Sequence, residues 1–536
     1  MKLSALETAL KAEVKAAFSL DDAQLKNFAV SAPPSHIKAD LSVAWPIAAA
    51  RTLKKPPLKI AEELKAALAG KYDAEVLAPG FVNIRLKDGD LVEAAGQAAS
   101  DPAFFSNTAY AKEKINIEFV SANPTGPMHL ASGRGATLGD SLARIMRFLG
   151  YKADEEFYVN NMGKQVELLG ASLKARSLGG EPPEGGYKGA YLKDIAAALP
   201  KDSAGWTNEQ FSEYAVEAML ALHKADMKAF GVEFDRWFLE SELHDVKGPE
   251  KAREELKKRG MTYEKEGAVW LGTSSEMESD DKDRVLVKSD GRNTYFLNDI
   301  AYHLNKFERG YSRVIDIWGA DHHGYVPRME SAISALGKEK GAFKVIIHQM
   351  VALKRGTEVV KMSKREGDFV SLKELVDEVG PDACRFFFAM HSPNSHMTFD
   401  IDLAKKRSND NPVFYVQYVH ARICSIFNNA KEKGVDPART FDAAKVVLND
   451  EERGMILKLL WLENVLEACV RDSATHHLTT YLSELSAMFH SFYGKHKVLD
   501  AAEPETTAFR LYLLKAVRHV IAEGLGLLGV SAPEKM

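Results

Sequence analysis

Cysteine is nearly absent from this 536-residue chain. The three present, Cys384, Cys424 and Cys469, lie far apart with no C-x-x-C pair. That spacing argues against a zinc knuckle or a disulfide framework, so no structural zinc is expected, and it predicts small buried apolar residues. No apolar run is long enough to span a membrane. The N-terminus does not read as a secretory signal either. Leu3, Leu6, Leu10, Val14 and Phe18, interrupted by charges, have the spacing of an amphipathic helix. Charge of one sign is also missing, with 70 basic against 75 acidic residues and a net −5. Composition therefore neither suggests nor excludes nucleic acid, and an RNA-binding surface would have to be a local basic patch. Internal repeats and low-complexity tracts are lacking as well. A reducing, cytoplasmic setting fits these absences best.

What is present is ordinary globular composition, 46% hydrophobic and 27% charged, at a length that calls for two to four domains. Residues 1–110 read as a compact α+β module. Helical patterns fall near 3–18 and 58–69, and short strands near 72–77 and 81–86, punctuated by Pro33-Pro34 and Pro56-Pro57. From 111 to 405 apolar strands alternate with helices, which predicts a largely parallel α/β sheet. The candidate strands are Ile115 to Val120, Glu156 to Val159, Val285 to Lys288, Val314 to Trp318 and Phe343 to His348. An insertion is expected around 163–280, with Gly179 to Tyr191 as a surface loop and Asp280 to Arg284 as a turn. Residues 406–536 contain helical runs and almost no strand signal, which predicts an all-helical terminal domain. The runs are Val413 to Ala430, Glu451 to Asp472, Leu478 to Tyr493 and Thr506 to Leu528.

The densest signal is Ser121 to Gly135, a Pro/Gly loop between an apolar β-rich run and a helical pattern. A strand-to-helix junction of this kind turns backbone N–H groups and the positive end of a helix dipole toward the loop, and so suits phosphate or carboxylate. His129 lies in that seat. More than two hundred residues later comes Lys361-Met362-Ser363-Lys364-Arg365, between Gly356 and Gly367. Two lysines three apart on a mobile loop could neutralise charge building on a leaving pyrophosphate, mainly in the transition state.

Taken together, these motifs resemble a class I aminoacyl-tRNA synthetase. His129 to Ser132 stands where that class carries His-x-Gly-His, and Lys361 to Lys364 matches Lys-Met-Ser-Lys letter for letter. The wider context is similar to the arginyl-tRNA synthetases in particular. It includes Glu118 to Pro127, Trp318 to Tyr325, Ser408 to Tyr418 and Gly529 to Met536. The resemblance implies a Rossmann-like catalytic domain, an N-terminal tRNA-contacting module and a helical anticodon-binding domain. It implies activation of arginine by ATP, with Mg²⁺ accompanying the nucleotide, and transfer to the terminal ribose of tRNA. A monomer is expected.

The resemblance also assigns residues. Glu118, Ser121, Asn123, Tyr295 and Asp299 stand at arginine-pocket positions, where a carboxylate facing a guanidinium distinguishes arginine from lysine. Two of these have a simpler alternative: Asp299 could cap the helix that begins at Ile300, and Glu118 could pair with a neighbouring base. The nucleotide positions are His129, Gly133, Gly319, Asp321, His322, Met350, Val351, Lys361, Ser363 and Lys364. Among them His129, Ser132, Lys361 and Lys364 are the catalytic candidates. Which of Asp321, His322 and His323 meets ligand stays open. Lys405, Lys406, Arg407 and Arg422, beside Phe414, Tyr415 and Tyr418, are candidates for tRNA phosphates and bases.

One departure stands out. Ala131 and Ser132 replace the signature's glycine and second histidine, which removes a ring able to carry positive charge near phosphate. Ser132 is expected to N-cap the helix, with Arg134, the helix dipole and the lysine loop covering the charge. Two other readings are a synthetase-like tRNA-binding protein without aminoacylation and a small-molecule nucleotidylyltransferase.

Overall fold

The computed structural model describes residues 2–34, 36–101, 103–108, 110–272, 282–360 and 370–536. At its centre is a sheet of five parallel strands: β1 (Lys114–Glu118), β2 (Lys152–Val159), β3 (Arg236–Leu239), β4 (Arg313–Gly319) and β5 (Phe343–His348). Their spatial order is β5-β4-β1-β2-β3. The chain therefore builds outward from β1 in one direction, then returns to β1's other side at β4. Open α/β sheets leave a crevice at the carboxyl ends of the strands where the order reverses. Here that crevice lies between β1 and β4.

Two helices wall the crevice. Helix α1 (Leu130–Phe148) follows β1 and is capped by His129, whose Nδ1 accepts from the Ala131 N–H at 3.2 Å. Ser132 is thus the third residue of the helix and not its cap. The chain turns into the helix at His129 because Leu130 is buried and begins the apolar face. Gly139 lets α1 lie directly on the residue that follows β1; a Cβ there would stand 2.3 Å from the Phe119 ring. Helix α2 (Tyr295–Glu308) packs against β4 and is capped by Thr294, whose hydroxyl accepts from the Leu297 N–H at 3.3 Å. Asp299 is therefore interior to α2, which removes the capping reading of that residue.

Other expectations needed revision. Arg284–Val287 is indeed a strand, but it joins Thr262–Lys265 and Ala268–Leu271 in a separate antiparallel sheet. A period-two apolar pattern marks a strand without specifying its partner, and the nearby hairpin supplied one. Within 163–280, Arg236–Leu239 returns to the central sheet as its edge strand. Before that return lie three insertion α-helices, Lys164–Ser177, Ala190–Ala197 and Asn208–Ala229. The run expected over 451–472 breaks at Trp461 into Asp450–Leu460 and Leu462–Asp472.

The N-terminal module folds as four antiparallel strands with helices Leu3–Phe18, Trp45–Leu53, Pro57–Leu68 and Asp88–Ser100. It docks on the C-terminal helices through Arg453. That guanidinium pairs with buried Asp40, with Asp88 at 2.5 Å, and donates to the Leu86 carbonyl at 2.5 Å. The helical domain opens with α3 (Pro412–Glu432) and ends with Pro504–Leu527. The tail folds back onto it, with Gln417 donating to the Ser531 carbonyl at 2.9 Å, and onto the helix Pro381–Ala389. Gly529 has φ +66°, a glycine-favouring conformation, and Arg385 fills the space a Cβ would need. All three cysteines are buried. Among the described residues no helix is long and apolar enough to cross a membrane.

Candidate active site

A cavity of about 350 Å³ occupies the crevice. Glu118, Ser121, Ala131, Ser132, Gly135, Asp299, Gly319, Asp321 and His322 line it, together with Tyr158, Tyr302, His303, Asp316, Trp318, Tyr325 and His348. The walls come from the ends of β1, β2, β4 and β5 and from α1 and α2. Residues from one end of the chain's catalytic region to the other thus meet in one place.

Behind the wall lies an ion network. Glu118 and Asp316 are cross-strand partners in the β1/β4 register, so their side chains share one face of the sheet. Lys306, wholly buried on α2, donates to Glu118 at 2.5 Å and to Asp316 at 2.9 Å. His303 bonds the other Asp316 oxygen at 2.7 Å. Burial disfavours every charge here, yet Lys306 and His303 hold the Asp316 carboxyl down at about 2. Glu118 goes the other way, raised by burial and by the neighbouring Asp316 charge despite its lysine. The pairing reading of Glu118 therefore describes its contacts. Next to it, Glu156 accepts Arg309 at 2.5 and 2.7 Å and the Tyr302 hydroxyl at 2.7 Å.

Asp299 differs from all of these. Its carboxylate accepts the Tyr325 hydroxyl, and no lysine or arginine pairs with it among the described residues. The side chain opens onto the cavity, so part of it is accessible, but protein atoms crowd it on the remaining sides. That enclosure pushes its carboxyl up to about 6 from an ordinary 3.8, against the pull of Tyr325 and His303. A buried anion without a cation is costly, and it is the natural partner of an incoming one.

The turn after β1 is strained. Val120 at φ +69° and Ser121 at +40° occupy the left-handed region, which a β-branched residue rarely enters. The strain aims Ser121. Its hydroxyl donates to Glu118 at 2.8 Å and accepts the Tyr158 N–H at 3.1 Å, tying β1 to β2 at the cavity floor. The loop beyond is clasped by the insertion: Tyr191 donates to the Thr125 carbonyl at 2.6 Å and His223 bonds the Gly126 carbonyl at 2.8 Å.

Not every expected residue reaches the cavity. Asn123 is exposed and donates to Gln165 at 2.9 Å, and Tyr295, 81% exposed, is one turn from Asp299 but does not line it. Gly133 packs toward Leu372 and Phe388. Asp321 and His322 line the cavity, whereas His323 does not. Met350 is exposed and Val351 buried, both outside the lining. Arg134 does not cover the charge missing at Ser132. It is buried and donates at 2.8 Å to each of the Gln349, Ser392 and Ser395 carbonyls, binding α1 to the loops beyond β5.

Lys361, Ser363 and Lys364 lie outside the described residues, but their flanks do not. The chain leaves a hairpin of Val351–Arg355 and Glu358–Val360 and returns at Ser371, which forms a β-bridge with His129. The Leu372 N–H also bonds the Met128 carbonyl at 2.9 Å. The chain that follows the lysine signature is thus bonded to the chain that enters α1.

On the helical domain, Lys405 and Lys406 make exposed ion pairs of 3.3 Å with Glu378 and Asp410, and Arg407 is exposed. Arg422 donates to the Tyr493 hydroxyl at 2.9 Å and lies over its ring. Phe414 stacks on Tyr418 beside His490, leaving an aromatic, partly exposed stretch of α3.

Tyr302, His303, Lys306 and Asp316 were missed in the sequence, though signals existed. Asp299, Tyr302, His303 and Lys306 recur at three- and four-residue steps, which is one helix face. Asp316 interrupts the apolar run Val314 to Trp318, where a charge must find a buried partner.

A parallel sheet with its reversal beside β1, a His-bearing loop entering α1, and a lysine-bearing segment rooted next to it define a class I aminoacyl-tRNA synthetase. Comparison with known families narrows this. The "Arginyl tRNA synthetase N terminal domain" matches residues 4–86. The "tRNA synthetases class I (R), catalytic domain" matches 99–230 and 249–390, and the "DALR anticodon binding domain" matches 416–536. An Arginine–tRNA ligase from Elusimicrobium minutum is 53% identical over 508 residues, covering 94% of each chain. One from Listeria monocytogenes is 43% identical over 98% of each. The solved arginyl-tRNA synthetase of Thermus thermophilus superposes with a TM-score of 0.80 at 23% identity, covering 99% of this chain and 100% of its own, and bears on the fold. This chain belongs to the arginyl-tRNA synthetase family.

Proposed function

We propose that this cavity is where the family's reaction, ligation of arginine to tRNA with ATP, takes place in this chain. The observation that carries it is Asp299, a carboxylate enclosed at the cavity wall and paired with no lysine or arginine among the described residues. Four carboxylates line the cavity, Glu118, Asp299, Asp316 and Asp321, and no lysine or arginine does among the described residues. A guanidinium entering beside Asp299 would pair with it and relieve the cost of its burial. Tyr325 orients that carboxylate, Lys306 and His303 hold the floor rigid, and Ser121 links Glu118 to β2. Asn123 and Tyr295 would reach the substrate only by moving toward it.

ATP would lie across the start of α1 and the segment Gly319 to His322, with His129 and Ser132 at the helix terminus and Gly133 allowing the helix its close packing. The backbone at Met350 and Val351 faces the adenine in this reading. Lys361, Ser363 and Lys364 would close from their root beside His129. Arginine's carboxylate attacks the α-phosphate, pyrophosphate leaves, and the lysines and the helix dipole stabilise the charge that develops. Mg²⁺ would enter on the phosphates of ATP; the described residues form no group of three or more ligating side chains to hold it by themselves. The arginyl group then passes to the terminal ribose of tRNA. Lys405, Lys406, Arg407 and Arg422 would contact the RNA on the helical side, and residues 1–110 its outer corner. The enzyme would work as a cytoplasmic monomer.

Arginine-dependent ATP–pyrophosphate exchange, with and without tRNA, tests this. Exchange with arginine alone among the amino acids is expected. Exchange with a different acid, or tRNA binding without exchange, would overturn it.

A further inference from the structure

We infer that the side chain of His348 contacts the nucleotide, its Nε2–H donating to a phosphate oxygen beside Ser132 at the N-terminal end of α1. The inference rests on ATP occupying the crevice and assigns a role to a side chain whose neighbouring backbone alone was expected to matter.

Four observations converge. His348 is the last residue of β5, level with Gly319 on β4, and so stands at the carboxyl edge where the crevice opens. It faces α1 closely: a Cβ on Gly135 would lie 3.3 Å from the His348 Nε2, so the ring lies against the helix one turn beyond Ser132. The ring's other nitrogen, Nδ1, is enclosed and makes no well-formed hydrogen bond among the described residues, although the Gln349 backbone lies near enough to favour a protonated ring. Nε2 is the nitrogen that faces the cavity side of α1, and we place the proton there. Finally, burial and the neighbouring Arg134 lower the imidazole to about 4, which leaves it neutral, with one donor, at the pH of the reaction.

The need for such a donor follows from the rest of the wall. α1 and β5 contribute Ala131, Ser132, Gly135 and His348 to the cavity, and only the serine hydroxyl and the histidine ring among these can form side-chain hydrogen bonds. Arg134, the cation nearest by sequence, is committed to three carbonyls. Among the described residues of α1 and β5 that line the cavity, a phosphate drawn to the helix terminus would otherwise meet backbone N–H groups and one hydroxyl. A neutral imidazole adds a directed donor, and a donor to a charged oxygen is among the stronger hydrogen bonds.

The test compares full-length wild type, His348→Val and His348→Gln in arginine- and tRNA-dependent exchange, with ATP and arginine varied separately. Valine suits a strand end and removes the donor, while glutamine restores an N–H near the position of Nε2. His348→Val should lose roughly 10- to 100-fold in kcat/KM for ATP, with the KM for arginine and the melting temperature unchanged. His348→Gln should recover most of it. An active wild type with unaltered ATP kinetics in His348→Val overturns the inference, as do equal losses in both variants accompanied by a lower melting temperature. A wild type inactive in exchange would instead overturn the reading of the cavity on which the inference stands.

Discussion

The Lys306 ammonium lies 2.5 Å from Glu118 and 2.9 Å from Asp316, with no exposed surface, and bridges the two buried carboxylates. Removing it would leave Glu118 and Asp316 facing each other across adjacent strands. Lys306→Met is expected to destabilise the protein by about 3–5 kcal/mol at neutral pH. Adding Asp316→Asn should recover part of that loss, since one uncompensated charge goes with it. Urea midpoints of the single and double variants decide it; additive losses would show that the three groups do not act as a unit.

On the proposed reading of the cavity, Asp299 should make arginine recognition pH-dependent. Its folded value of about 6 exceeds the ordinary 3.8. Between those values the folded protein binds more protons than the unfolded chain, so this group's contribution to stability falls as pH rises through the window. A bound guanidinium reverses the preference by holding the carboxylate ionised. The KM for arginine should therefore climb as pH drops below about 6. Asp299→Asn should flatten that profile, raise KM for arginine at pH 7.5 by roughly 10- to 100-fold, and raise the melting temperature of the unliganded protein. A wild-type KM that is level from pH 5 to 8 would exclude this role.

Gly139 sets how closely α1 approaches the sheet. With the Phe119 ring 2.3 Å from the place a methyl would take, Gly139→Ala must push the helix outward. Overpacking of this kind costs about 1–3 kcal/mol. Because α1 carries Ser132 and is capped by His129, the exchange rate should fall along with stability. Preserved kcat alongside a lowered melting temperature would mean that the helix terminus keeps its place despite the shift.

Arg453 joins the N-terminal module to the helical domain. Arg453→Met strands Asp40, which is 4% exposed and also accepts the Leu86 N–H at 2.6 Å. Limited proteolysis should then cut between the module and the sheet, within about residues 100–113, faster than in wild type. Exchange without tRNA transfer should survive better than full aminoacylation. Equal proteolytic rates would show that the remaining contacts, such as Ser4 and Asn107 to Glu463, suffice for docking.

Much of the site was legible because its motifs are local. The loop from Ser121 to Gly135 and the lysine segment announce themselves by composition, and periodicity placed the strand before the first and the helix after it. Asp299 could be named from its motif, but whether it capped a helix depended on where α2 begins, and Thr294 as the cap removed that reading. Ser132 was misplaced by three positions because a histidine can cap through its ring nitrogen, a weaker sequence signal than serine's.

The amino-acid sequence by itself determined the three-part architecture, the parallel sheet and the two signature segments, since each depends on short-range patterns of apolar residues, glycine and proline. Only the tertiary structure decided the partners of charges. Glu118, Lys306 and Asp316 are separated by up to 198 residues, and one register between β1 and β4 brings them together. His348 and Gly135, on β5 and α1, likewise meet only in space. Electrostatic pairing depends on distance in space, which the order of residues along the chain does not record.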